Sequence, residues 1–401
     1  MDSFSLRFDL MHPDGVVSYP DAAAQARDSR PHLVDVTMYW SARGGGVGRY
    51  LRDKRRWAGA HGWRNTWAVP ADCAPPHRKT GGLRIPLSGG YRFPLARSHT
   101  ARLLSNLQPD LIEAGDPFTL AWAALDAARE RGIPAVTFCH SNPADIAARW
   151  FGPIGRSALR RYLRNVYRRF DAVFAASRWM VDEARDLGIE NVVHQPLGVD
   201  LATFSPTRRD ANWRSELGID PDTVVLIYAG RFAREKNLQV LADTVKHLGS
   251  RYLLLALGAG PVPPRGDRVR LLPYATDPRI VATALASADV FVHAGESETF
   301  GLAPLEALAC GTPVVMPARA GLLDLVDGRV AIGVAQTTPE ALAEGVSAVR
   351  ALSREEARHA AVHLAQSFDE ETAFARLFAR YAALRSASVS ADKAPGGLRL
   401  A

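Results

Sequence analysis

Short apolar runs, each ending in a small or polar loop, recur in two series along the chain with helix-like stretches between them. The first series is LVDVTMYW (33–40), DLIEAG, AVTFCH and AVFAAS; the second is TVVLIYAG, YLLLALG, VRLLPY, ADVFVHAG and TPVVMP. Such alternation predicts a parallel sheet covered by helices, with ligands held beyond the carboxyl ends of the strands. Between the series, PLGVDLATFSP (196–206) breaks the pattern with Pro, Gly and Asp, as a linker does. At 401 residues the chain exceeds one comfortable core, so each series is expected to build its own α/β domain. The cleft between the domains is the expected site.

ESETFGLAPLEALACGTPVV (296–315) is the most informative stretch. Glu298 and Glu306 lie eight positions apart, which on an unbroken helix would turn them about 80° from each other. The sequence predicts a break instead. Pro304 suits a first helical turn, the Leu/Ala run to Cys310 favours helix, and Gly311 suits the position just past its end. Glu298 is therefore expected in a loop and Glu306 inside a helix. The helix N-terminus near Gly301 offers unpaired N–H groups to phosphate.

YAGRFAREKNL (228–238) ends a strand at Gly230-Arg231 and reaches Lys236 five residues on. A forked guanidinium and a compact ammonium at a strand end can clamp a diphosphate; a solvated turn with Glu235 as partner is the alternative. GGGVGR (44–49) lets backbone approach a ligand closely, but it lacks a P-loop lysine and the last glycine of a dinucleotide fingerprint. His140 closes the strand-like VTFCH and is expected to face the cleft. Asp220-Pro221-Asp222, the only D-x-D, falls in a turn rather than at a strand end. Cys73, Cys139 and Cys310 are scattered. No metal site and no cofactor are expected.

The net charge of +7 resides in the first half, where residues 1–200 carry 27 Lys and Arg against 20 acids. RSALRRYLRNVYRRF (156–170) holds Arg156, Arg160, Arg161, Arg164, Arg168 and Arg169 without an acid, over apolar residues at helical spacing. Between Asp72 and Asp110 only basic residues interrupt an aromatic and glycine-rich stretch. A basic amphipathic helix with such a loop can dock on anionic lipid; a core-packed helix with a solvated basic face is the alternative. No nucleic-acid module accompanies the charge. The opening MDSFSLRFDLMHPDG lacks a signal peptide's basic start and apolar run, and no segment is long and apolar enough to span a membrane, so the expected location is cytoplasmic, with peripheral contact at the inner membrane face.

With these pieces in order, the chain resembles the retaining GT-B glycosyltransferases, a group that includes bacterial lipid mannosyl- and glucosyltransferases. The likeness covers most of residues 33–385 and rests on three motifs in order: PLGVDLATFSP, GRFAREKN and the E-x7-E stretch from Glu298 to Glu306. It implies two Rossmann-like domains, 1–196 and 197–370, then a helix at 371–385 returning to the first, with a disordered tail at 386–401. It also implies roles. Glu298 contacts the donor sugar and Glu306 the ribose, with Thr299, Phe300, Gly301 and Leu302 lining the donor between them. Arg231 and Lys236 form the diphosphate clamp, Gly45 and Gly46 close from the other domain, His140 stands near the anomeric carbon, and Tyr274 lies beside the base. Thr299, Asp324 and Asn237 depart from the common pattern, the first two where sugar choice could change. The implied reaction moves a hexose from a UDP- or GDP-linked donor to an acceptor hydroxyl with retention and without metal. A lipid or lipid-linked glycan is the expected acceptor; a soluble glycan, or an epimerase or sugar-nucleotide binding protein, is the alternative.

Overall fold

The computed structural model describes residues 29–40, 45–71, 74, 76–85 and 91–393. Cys73 and Gly44 lie outside them. The first sheet is seven-stranded and parallel, in the order β3-β2-β1-β6-β7-β8-β9. Its strands are β1 (His32–Val36), β2 (Arg64–Val69), β3 (Arg78–Lys79), β6 (Leu111–Ala114), β7 (Ala135–Cys139), β8 (Ala172–Ala175) and β9 (Val192–His194). Between β3 and β6, β4 (Leu83–Arg84) and β5 (Arg92–Phe93) form a small antiparallel pair. The strand expected over 33–40 stops at Val36, because the amide of Met38 turns to the buried carboxylate of Asp116, 2.7 Å away.

The second sheet is six-stranded and parallel, in the order β12-β11-β10-β13-β14-β15. It comprises β10 (Val224–Arg231), β11 (Tyr252–Ala259), β12 (Val269–Leu272), β13 (Val290–Val292), β14 (Val314–Pro317) and β15 (Ala331–Val334). β10 is buried from Val224 to Ala229, as a strand covered on both faces must be, and becomes exposed only at Gly230-Arg231. Strand order reverses between β10 and β13, and between β1 and β6 in the first sheet. Those reversals open the crevices in which ligands of such sheets bind.

The chain crosses between the domains twice, side by side. Val199 donates its amide to the Phe368 carbonyl at 2.9 Å, and Glu370 returns the bond to Val199 at 3.1 Å. A Cβ on Gly198 would lie 2.3 Å from the Glu370 Cα, so the crossing needs a glycine there. The last helix, Glu370–Lys393, packs against the first domain. Phe378 meets Trp57 and Trp63 with ring centres 4.7 and 5.2 Å apart, and Phe374 meets Tyr50. This helix starts where the sequence predicts but continues to Lys393, so residues 386–393 of the expected tail are helical; 394–401 lie outside the described residues. Its Tyr381 hydroxyl donates to Glu113, which with Asp35 encloses Lys54 at 2.8 and 2.6 Å in a fully buried cluster. Cys139 and Cys310 are buried, and burial pushes the Cys139 thiol up to about 12.

Candidate active site

At the β10–β13 reversal, two loops bring together residues far apart in sequence. The turn after β10 carries Arg231 and, in a short 3-10 turn (Arg234–Lys236), Lys236; the loop after β13 carries Glu298. Lys236 donates to Glu298 Oε1. His293 Nε2 stands 3.0 Å from the same oxygen, close but not aligned as a full hydrogen bond. Burial would raise the Glu298 carboxyl, yet Lys236 and His293 outweigh it and hold the group well below the usual carboxylate range. Glu298 is thus a fixed anion with one oxygen tied down. Arg231 is more exposed and meets Glu235 at 2.9 Å, the pairing expected of a solvated turn.

Asn237 stands where a glycine is common and adopts a left-handed conformation with φ 49°, which asparagine tolerates better than most side chains. Its amide also donates to the Ala294 carbonyl at 3.2 Å, fastening the two loops to each other.

Glu306 lies on the helix Leu302–Ala309, introduced by Gly301 at φ 112°. That φ is one that L side chains rarely adopt, and a Cβ there would also crowd Leu322 at 2.7 Å, so the turn favours glycine. Burial raises the Glu306 carboxyl, and Arg49 opposes that shift with Nη1 at 2.7 Å from Oε1. Arg49 belongs to the first domain, one turn into the helix Gly46–Ala60 that follows Gly45 and Gly46. A Cβ on Gly46 would approach Leu302 to 3.7 Å, and one on Gly45 would reach the Tyr91 hydroxyl at 3.2 Å. Gly46 therefore faces Leu302 of the E-x7-E stretch.

His140 ends β7 and lies on the rings of Phe138 and Tyr50, with centres 4.7 and 4.9 Å away. Burial, with Lys54 adding to it, pushes its imidazole down to about 3, so the ring is neutral near pH 7. Its carbonyl accepts the Thr299 hydroxyl across the cleft at 3.1 Å, while Phe300 is buried behind. Tyr274 is half-exposed just beyond β12. Asp324, read as a variation bearing on sugar choice, is engaged otherwise: it accepts the Arg178 amide at 2.9 Å and lies 3.4 Å from His194. Through these contacts it joins the two domains. Asp220 accepts the Asp222 amide in a local turn, and among the described residues no cluster of three metal-ligating side chains is gathered.

Sequence reasoning missed His293, Arg49 and Tyr91. His293 sits inside an apolar strand pattern, Arg49 inside a run of basic residues, and Tyr91 in a loop without period. Only folding brings them to the cleft.

Two α/β sheets, each with its reversal opening on a common cleft lined by two acids and two cations, define a GT-B glycosyltransferase. The model for Glycosyltransferase Family 4 matches residues 44–203, and that for Glycosyl transferases group 1 matches 223–351. A GDP-mannose-dependent alpha-(1-6)-phosphatidylinositol dimannoside mannosyltransferase of Mycobacterium tuberculosis is 29% identical over 377 residues, covering 88% of this chain and 96% of the relative. A GDP-mannose-dependent alpha-mannosyltransferase of Mycolicibacterium smegmatis is 30% identical over 64% of this chain and 71% of its own length. Among solved structures, sucrose-phosphate synthase from Thermosynechococcus elongatus superposes with a TM-score of 0.73 at 20% identity, over 89% of this chain and all of that one. The chain belongs to this glycosyltransferase family.

Proposed function

We propose that the enzyme transfers mannose from GDP-mannose to a hydroxyl of a lipid or lipid-linked glycan, with retention and without a metal ion. The observation that carries the reading is the contrast in environment between two acids on one loop and helix, Glu298 against Lys236 and Glu306 against Arg49 of the other domain. Glu298, held ionised by Lys236, offers its other oxygen to sugar hydroxyls; Glu306, deeper and oriented by Arg49, suits the ribose. Between them lies the N-terminus of the helix at Leu302, which no side chain caps, and Arg231 and Lys236 add positive charge for a diphosphate. The donor and acceptor classes are those in the names of the mycobacterial relatives.

In this reading the acceptor oxygen attacks the anomeric carbon from the face the diphosphate leaves. The C1–O(phosphate) bond breaks, the C1–O(acceptor) bond forms, and the acceptor proton passes to the departing phosphate oxygen. Arg231, Lys236 and the helix N-terminus stabilise the growing phosphate charge. Neutral His140 hydrogen-bonds the sugar near the anomeric carbon, and Tyr274 flanks the base.

Lipid docking at the inner membrane face falls to the first domain. Phe151 and Ile154 are 75% and 83% exposed at a kink in the helix Pro143–Tyr167, where Gly152 leaves helical geometry. Leu83 and Leu95 are also exposed. The basic face below them is partly consumed: Arg156 and Arg160 pair with Glu183, and Arg169 lies over Trp122. Arg161, Arg164 and Arg168 remain exposed for lipid phosphate. That partial neutralisation is what favours the second reading, a soluble glycan acceptor.

Thermal unfolding in EDTA with GDP, UDP and ADP tests the donor half. A nucleotide at about 100 times its dissociation constant adds roughly 2.7 kcal/mol. GDP is expected to raise Tm, and Glu306→Ala and Arg231→Ala to abolish the rise. A shift with UDP alone would refute the GDP assignment, and a shift only with added divalent ion would refute the metal-free one. Transfer from GDP-mannose to phosphatidylinositol mannosides, with the new anomeric proton read by NMR, tests acceptor and retention together.

A further inference from the structure

Arg49 does more than meet Glu306. Its Nε lies 3.4 Å from Asp53, one turn further along the same helix, and its guanidinium stacks over Phe204 of the linker with the ring centre 4.4 Å away. Asp53 in turn accepts from Arg56 at 3.0 Å. The same Arg56 nitrogen reaches Glu370 at 3.1 Å and Asp200 at 3.6 Å. Asp200 and Glu370 flank the two places where the chain crosses between domains, next to the Val199 backbone bridge. An unbroken line of ion pairs thus runs from Glu306 in the cleft, along one face of the first helix, to both hinge strands. A cavity of about 20 Å³, room for one water, lies along it between Arg49, Asp53, Asp200, Glu306 and Glu370.

The charges along this line do not balance: four carboxylates share two guanidiniums. Arg49 is divided between a close bond to Glu306 and a longer one to Asp53, and Arg56 among three acids. In a partly buried site such a cluster has more than one arrangement of similar energy, and whatever satisfies one carboxylate frees its cation for the next.

We infer that Arg49 is a positioning residue that couples nucleoside occupancy of the cleft to the hinge through Asp53 and Arg56. This rests on the reading of Glu306 as the ribose acid. When ribose hydroxyls donate to Glu306, that carboxylate needs Arg49 less. Arg49 moves its weight to Asp53, Asp53 releases Arg56, and Arg56 tightens on Asp200 and Glu370, fastening the two crossings. Before the donor arrives, Arg49 favours the ionised form of Glu306 and orients it through Oε1, leaving Oε2 to the nucleoside.

Hydrogen exchange with and without saturating GDP or UDP tests this. In the native chain, nucleotide should slow exchange both in 298–306 and at the hinge amides of Val199 and Glu370, which are bonded across the crossing. Asp53→Asn, which keeps shape and breaks the line in its middle, should bind nucleotide with an affinity within about threefold of native while the hinge amides stop responding, a change of less than 1 kcal/mol. Arg49→Met should weaken nucleotide about tenfold and also silence the hinge, and Arg49→Lys should restore part of both. Hinge protection that still follows saturating nucleotide in Asp53→Asn and Arg49→Met would overturn the coupling. If neither nucleotide protects 298–306 in the native chain, the ribose reading of Glu306 itself fails and the coupling loses its input. The two failures are thereby told apart.

Discussion

At the scale of single residues, the cleft separates charge states by environment. Glu298 and Glu306 are eight residues apart on one segment, yet the first is held ionised by an adjacent ammonium while burial raises the second. His140 carries the clearest consequence for pH. Its folded pKa, near 3, lies below that of an exposed histidine, so between about pH 6.5 and 3 the unfolded chain takes up a proton that the folded chain refuses. Stability attached to this residue is therefore full above pH 6.5 and falls as the pH is lowered. Linkage sets the slope at about 1.4 kcal/mol per pH unit well below pH 6.5, and the partial exposure of the ring narrows the window over which it acts. Urea unfolding from pH 6 to 5 should show close to that slope in the native chain relative to His140→Gln, and equal slopes would mean that the ring is not desolvated as the structure has it.

At the scale of elements, glycines fix the places where chain meets chain. Gly301 allows the helix of Glu306 to begin against Leu322, and Gly198 allows the two interdomain crossings to lie side by side. Gly198→Ala places a methyl carbon 2.3 Å from the backbone of Glu370, which no rotamer can relieve. We expect a loss of about 2 kcal/mol or more, read as a lower midpoint in urea. The loss should accompany weaker packing of the terminal helix, visible as increased fluorescence quenching of Trp57 and Trp63, which that helix covers. A variant as stable as the native chain would show that the crossings are not packed as described. The kink at Gly152-Pro153 has a similar local cause: proline cannot continue the hydrogen-bond ladder, and Gly152 takes a φ of 61° that places Phe151 and Ile154 in solvent.

At the scale of the whole molecule, the proposed reading gives the first domain the contact with the membrane. Sedimentation with vesicles of anionic phospholipid measures the membrane part. With about 1 kcal/mol for each arginine at such a surface, the double change Arg161→Gln and Arg168→Gln should weaken binding roughly thirtyfold, and Phe151→Ser with Ile154→Ser should weaken it further. Unchanged sedimentation would leave the soluble acceptor as the better reading. Much of this molecule was legible in the chain alone. Strands buried on both faces, such as β10, are continuous apolar runs whose period needs no partner to be read, and the Pro304 and Gly311 punctuation located the break between Glu298 and Glu306 because those residues have local backbone requirements. β2 was not legible: it opens with polar residues, and Asn65 and Thr66 find Asp35 and His32 as partners on the neighbouring strand. The terminal helix runs past its expected end at 385, where a serine-rich composition reads as tail; in the structure the Ser386 and Ser388 hydroxyls donate back to the Ala382 and Leu384 carbonyls of the same helix. Local backbone preference and hydrophobic period, both properties of neighbours in sequence, determined the two α/β sheets and their order. The tertiary structure alone decided which charge faces which, because the partners of Glu298 and Glu306 are set by through-space distance: Lys236 lies 62 residues from its acid and Arg49 lies 257 from its own.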